Sequence, residues 1–113
     1  MDSVNDKAAI VEAVLRDYEE YFRGSNDPVK TKLFIDREQQ YFQLLYYGWA
    51  NRDEFVHAPL FSIEIIDGKV WVWENRTDLD PSKEFFKRGL THSDIVLGFI
   101  PPEERQYTDY AVA

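Results

Sequence analysis

A chain of 113 residues, 44% hydrophobic and 16% aromatic, has the size of one domain with one core and is too apolar to stay disordered. Its formal charge of −8, from 13 basic against 21 acidic side chains, forfeits most of the counterion-release energy that drives phosphate binding. With no cysteine there is no disulfide framework, thiolate metal site or cysteine nucleophile, and no run approaches the ~20 apolar residues of a membrane-spanning helix. Met1-Asp2-Ser3 carries neither the cationic nor the apolar segment of a secretion signal. A single cytoplasmic domain over residues 1–113 is the expectation, with no membrane partner.

Val4, Ala8, Val11, Leu15, Tyr18 and Phe22 recur at steps of three and four, widened by Ile10, Val14 and Tyr21, which predicts an amphipathic helix. Ser3 with Asp6 offers a carboxylate version of a capping box, and Gly24 a left-handed stop. Lys30 to Asp36 alternates as a strand, with Thr31, Leu33 and Ile35 on one face and Lys30, Lys32 and Asp36 on the other. Tyr41 to Trp49 is a second strand; Phe55 to Ile66 is a third, in which Pro59 argues for a bulge or an edge position. Asp67-Gly68 is a type I′ hairpin signal leading into Val70 to Glu74, with Val70 and Val72 on one face and Trp71 and Trp73 on the other. Tight turns between the four runs favour an antiparallel meander.

Asp80-Pro81 reads as the N-cap and first position of a helix that runs to Lys87-Arg88 and ends at Gly89. Thr91 with Asp94 opens another short turn, and Ile95-Val96-Leu97 is too short to assign to strand or helical turn. The chain closes on Pro101-Pro102, Arg105 and Tyr110-Ala111-Val112-Ala113, apolar to its last residue. Termini are mobile unless tied down, so this one is expected to pack and hold its carboxylate near one spot. The fold class is therefore α+β: an N-terminal helix on a four-stranded antiparallel meander, then short helices and a packed tail.

Chemistry is sparse. His57 and His92 form neither a His-x-x-x-His pair nor a histidine–carboxylate cluster, so no metal and no cofactor is expected. Glu64 shares a strand face with Leu60, Ser62 and Ile66 and, half buried, is read as pairing with a cross-strand Lys or Arg rather than as a general acid. No Gly-x-Ser-x-Gly elbow or phosphate-binding glycine loop occurs, and catalytic residues are expected to be none. The aromatics are the better candidates. Trp49, Trp71 and Trp73, with Tyr46 and Tyr47 on opposite sheet faces, exceed what a small core hides, and Arg52 and Arg105 are candidate interface anchors, since Trp and Arg dominate binding hot spots.

Tyr41-Phe42-Gln43-Leu44, Gly48-Trp49, Arg52, Asp67-Gly68-Lys69-Val70-Trp71, Asp94-Ile95-Val96-Leu97 and the closing Pro102, Arg105, Tyr107 and Tyr110 to Ala113 together resemble the XisI family. These are excision-controlling factors associated with the fdxN element of filamentous cyanobacteria. The resemblance runs from about Asp36 to Ala113. Relatives carry histidine where this chain has Ser62, and Asp-Gly-Thr where it has Asn75-Arg76-Thr77, departures that a binding protein tolerates better than an enzyme. It implies a non-enzymatic accessory factor for site-specific DNA excision, which binds a nuclease-like XisH-type companion or a recombinase and meets DNA only indirectly. The candidate partner-binding set is Trp49, Arg52, Trp71, Trp73, Arg105, Tyr107, Tyr110 and Ala113. The rival readings are a direct DNA-binding directionality factor and a small-ligand-binding or enzymatic domain built on Glu64. A homodimer through an exposed sheet face or edge is a further expectation.

Overall fold

The structure, a computed structural model, describes residues 3–24 and 28–113, with side chains from Asp6 onward. The capping pair expected of Ser3 with Asp6 lies outside the described side chains. The elements are α1 (Ser3–Arg23), β1 (Lys30–Asp36), β2 (Tyr41–Asn51), β3 (Glu54–Ile66), β4 (Lys69–Asn75), α2 (Pro81–Lys87) and β5 (Ile95–Leu97). Short 3-10 turns at His92–Asp94 and Pro102–Tyr107 complete the chain.

One sheet carries the strands in sequence order, β1-β2-β3-β4-β5. The first four form the expected antiparallel meander. The fifth is the run that periodicity left open, Ile95–Leu97, which pairs parallel to β4 through Val70 with Ile95 and Val72 with Leu97. A parallel neighbour needs a crossover. Here α2 supplies it, capped by the Asp80 carboxylate, which accepts from the Ser82 N–H at 3.0 Å. At its far end Leu90 N–H donates to Phe85 and Gly89 N–H to Phe86, both at 3.1 Å, with Gly89 at φ +99°. That double bond is the Schellman closure, and Phe85 and Leu90 join the core beside it.

The core lies on one side of the sheet. Ala8, Val11, Val14 and Leu15 of α1 are wholly buried against Phe42, Leu44, Phe61, Ile63, Val70 and Val72. Each large apolar side chain removed from water contributes roughly 1.5–3 kcal/mol, so this layer dominates stability. Tyr18 stacks on Phe61 with ring centroids 5.0 Å apart. Lys7 of α1 donates to the Gly68 carbonyl and pairs with Asp94 at 3.3 Å, fixing the helix start over the β3–β4 turn and the entry to β5. Near the middle of α1, Arg37 binds Glu12 at 2.5 Å and Arg16 binds it at 3.0 Å, which together hold the Glu12 carboxyl below its ordinary range.

One turn and one bulge decide the register. Asp67 (φ +50°) and Gly68 (φ +77°) both occupy the left-handed region, as a type I′ hairpin requires, and Ile66 faces Lys69 across it. In β3 the pairing slips at Leu60: Phe61 faces Leu44 but Pro59 faces Leu45. The bulge carries Leu60 into the helix-side core, so it does not share a face with Glu64 as simple alternation predicted. Pairing with β4 has ended at Phe61 opposite Asn75, so Pro59 lies where β3 is paired on one side only, an edge position.

Burial, and next the nearby Glu84 carboxylate, push the Tyr18 phenol up to about 12. The folded form thus holds a proton that the unfolded chain releases near pH 10, so this group's contribution is present below pH 10 and is lost as pH rises toward 12. Tyr18→Phe is predicted to flatten the fall in urea stability between those limits by about 1 kcal/mol, after allowance for partial solvent screening. An unchanged alkaline limb contradicts this.

Candidate functional site

Strand alternation sends Lys30, Lys32, Phe34 and Asp36, then Tyr41, Gln43, Leu45, Tyr47 and Trp49, to the face opposite α1. His57 and Phe55 beyond the bulge, Ser62 and Glu64 before it, and Trp71 and Trp73 on β4 complete this outer face. Aromatic side chains stay open to solvent across it: Phe34 at 49%, Trp49 at 59%, Phe55 at 56% and Trp73 at 37%. Among the described residues no helix covers them.

The tail shields only the β4–β5 end. Arg105, 8% exposed, stacks its guanidinium 5.0 Å over the Trp71 ring and donates to the carbonyls of Ile100 at 2.9 Å, Gly98 at 3.3 Å and Val112 at 3.4 Å. The sequence offered Arg105 as an interface anchor; its donors are engaged inside the chain, where they fold the tail onto β4. Trp71 stacks on Trp73 at 5.1 Å, and Trp73 donates its indole N–H to Glu64 at 3.0 Å. Glu64 thus meets an indole rather than the cross-strand Lys or Arg expected of it. Gly98 lies under the same ring: a Cβ there would sit 2.7 Å from Trp73 Cε3, so only glycine admits the indole at this distance.

Beyond Arg105, Ala111 donates to the Ile95 carbonyl at 2.9 Å and lies parallel to Val96. Lys69 donates from Nζ to the Ala113 carbonyl. Tyr110 packs the other way, 4.9 Å from His92 and 6.5 Å from Phe86 on the helix side. The tail is held through Arg105, Tyr110 and Ala111, packed as its composition predicted, while Tyr107 stands 82% and Val112 53% exposed.

The residues singled out by sequence therefore fall in separate places. Trp71, Trp73 and Arg105 form one cluster. Trp49 and Arg52 lie at the far end of the β2–β3 hairpin, Arg52 in its turn, roughly 26 Å along β2 from Tyr41 at 3.3 Å per residue. There Trp49 packs on Phe55 at 5.1 Å and Tyr47 lies against His57 at 6.3 Å, a ladder of rings on the same outer face. Sequence reasoning missed Phe34, Phe55 and Phe99. Phe34 was legible, since it shares parity with Lys32 and Asp36. Phe99, 53% exposed, reaches the face only because the Gly98 N–H bonds the Val72 carbonyl at 2.8 Å.

Between these aromatics lie two shallow hollows. One, of about 550 Å³, is lined by Phe34, Asp36, Arg37, Tyr41, Gln43 and Glu64 among others. The second, of about 490 Å³, shares Tyr41 and Gln43 and continues to Ser62, Trp73, Arg76 and Phe99. Gln43 donates to the Ser62 hydroxyl at 3.1 Å on the ridge between them. The surface is broad and shallow, with polar groups already bonded to one another. Among the described residues no three His, Asp or Glu side chains converge as metal ligands, and no helix is long and apolar enough to cross a membrane.

The Arg105 clamp has a measurable consequence. Arg105→Ala leaves three carbonyls without their donor and removes the cation from Trp71, at a predicted cost of about 2–4 kcal/mol. Urea unfolding followed by tryptophan emission measures it; a loss under about 0.5 kcal/mol, the level of an ordinary surface change, contradicts the clamp.

The sequence model of the XisI protein matches residues 1–112. A XisI-like protein from Anabaena variabilis superposes with a TM-score of 0.87 at 33% identity, over 97% of this chain and 99% of that one. The fdxN element excision controlling factor XisI of Anabaena variabilis superposes at 0.85 with 27% identity, over 99% of this chain and 100% of that one. No curated protein matches. Helix, meander, parallel fifth strand and packed tail are thus an arrangement held in common with solved XisI structures, and the chain belongs to the XisI family.

Proposed function

We propose that this XisI protein is a non-enzymatic controlling factor for excision of a DNA element, which acts in the cytoplasm by binding a protein partner through the uncovered face of its sheet. The observation that supports the reading best is the run of exposed rings from Phe34 to Trp73 on a face without a helix. Isolated exposed apolar residues are ordinary, but two groups of exposed aromatics on one uncovered face, rimmed by polar groups, have the composition of interface anchors. Stacking on single-stranded nucleic acid would want cations between the rings. Here Asp36 and Glu64 lie among Lys30, Lys32 and Arg37, and the whole chain carries −8. The partner of choice is the nuclease-like XisH-type companion, with the recombinase second. An acidic chain gains encounter rate with a basic protein surface.

The test is co-expression with the companion, followed by size-exclusion chromatography with light scattering. Deleting the tail is a poor probe, because it would uncover β5 as well as any binding group. Trp73→Ala is cleaner, and Tyr21→Ala, a residue of α1 on the other side of the sheet with 64% exposure, is its control. A stable complex is expected with the parent chain and with Tyr21→Ala. Trp73→Ala should weaken it about 30-fold, the effect of removing a hot-spot tryptophan. Separate elution of the parent proteins at micromolar concentration, or equal binding by both variants, would sink the reading.

A further inference from the structure

The two edges of the sheet are finished differently. Along β5 the tail lies beside Val96, and Ala111 bonds the Ile95 carbonyl, so that edge is occupied. Along β1 the sheet simply stops, and no further strand pairs with it among the described residues. An open edge of seven residues, with its row of backbone donors and acceptors, is a template for another strand.

The sequence of β1 specifies which strand. Laid antiparallel on a copy of itself with Leu33 opposite Leu33, it sets Lys30 against Asp36, Lys32 against Phe34 and Thr31 against Ile35. Lys30, Lys32, Phe34 and Asp36 are all exposed on the outer face, whereas Thr31, Leu33 and Ile35 are half-buried on the helix side. Each face therefore meets its own kind: opposite charges and a cation over an aromatic ring outside, aliphatic groups inside. Cross-strand pairs of these types stabilise a sheet, and like charges placed opposite destabilise it. Alternative registers do worse. A slip of one residue opposes the outer face of one copy to the helix side of the other. Centring on Lys32 opposes two lysines, and centring on Phe34 leaves Lys30 and Thr31 beyond the partner's strand end.

Edge lysines usually guard against pairing. In the Leu33-centred register they repel an arbitrary strand but attract a second copy of this one.

We infer that two copies of this chain join through β1 into one continuous antiparallel sheet, with Leu33 facing Leu33 across the two-fold axis. The outer faces of both copies then form one aromatic platform, with the two Phe34 rings near its centre. This interface uses the strand edge, so it can stand or fall separately from partner binding on the face.

Charge exchange tests it on the full-length chain. The parent is expected to run as a dimer in size-exclusion chromatography with light scattering. Lys30→Asp alone opposes two aspartates twice per dimer, and Asp36→Lys alone opposes two lysines twice. Each should weaken dimerisation roughly tenfold or more. Mixed in equal amounts, the variants regain opposite charges at both positions and should recover the parent dimer. Recovery also certifies that Asp36→Lys folds despite losing the bond from the Gln39 N–H. Because the chain has no cysteine, Leu33→Cys reports register directly, and mild oxidation should give a cross-linked dimer. A monomeric parent at tens of micromolar, failure of the mixture to recover, or no Leu33→Cys cross-link would overturn the inference.

Discussion

A single amphipathic helix can cover only one side of a sheet, and that constraint sets the character of this molecule. The 21 residues of α1 span about 32 Å at 1.5 Å per residue, enough to roof the meander on one face. Ala8, Val11, Val14 and Leu15 are wholly buried on that side. Among the described residues no second layer faces the other side except the closing residues of the chain, which reach no farther than β4 and β5. A sheet roofed on one face commonly turns polar side chains to water on the other. This one turns Phe34, Tyr47, Trp49, Phe55 and Trp73 outward.

The tail is best understood as the partial second layer. Arg105 draws the carbonyls of Gly98, Ile100 and Val112 around one guanidinium and lays it on Trp71. Gly98 gives way to the Trp73 ring, and Ala111 occupies the β5 edge. These contacts bury Val96 apart from the helix-side core. They also stiffen the Trp71–Trp73 stack against which the open part of the face begins. An aromatic anchor held rigid before binding loses less freedom on association, so the clamp and the proposed binding face are physically linked.

Local chemistry was legible in the sequence where one or two residues force the backbone. Asp67-Gly68, Asp80-Pro81 and Gly89 adopt the turn, cap and left-handed stop read for them, whereas Gly24, read as a left-handed stop, has no positive φ and continues the helical bonding to Glu20. The period-3.6 stripe of α1 and the alternation of β1 were equally plain. Three features were not, because each depends on packing that the local residue pattern does not encode. Ile95–Leu97 becomes a strand only by lying beside β4. Leu60 changes sides only because Leu45 passes Phe61 to pair with Pro59. Arg105 looked like an anchor because exposed arginines often are, and nothing nearby in sequence announces the three carbonyls that bury it. Of the candidate site, the tryptophans were found by their surplus, but their division into a proximal cluster and a distal ladder follows from the length of the hairpin.

All three tryptophans of the chain lie on the outer face and none in the core beneath α1. The protein thus carries its own reporters on the surface that is central to the account. The most direct measurement is 19F NMR of the chain labelled with 5-fluorotryptophan, titrated with the unlabelled XisH-type companion. Binding through the uncovered face predicts a shift or broadening of the Trp73 resonance at saturation. A complex that forms with all three resonances unchanged would place the interface elsewhere and contradict the account.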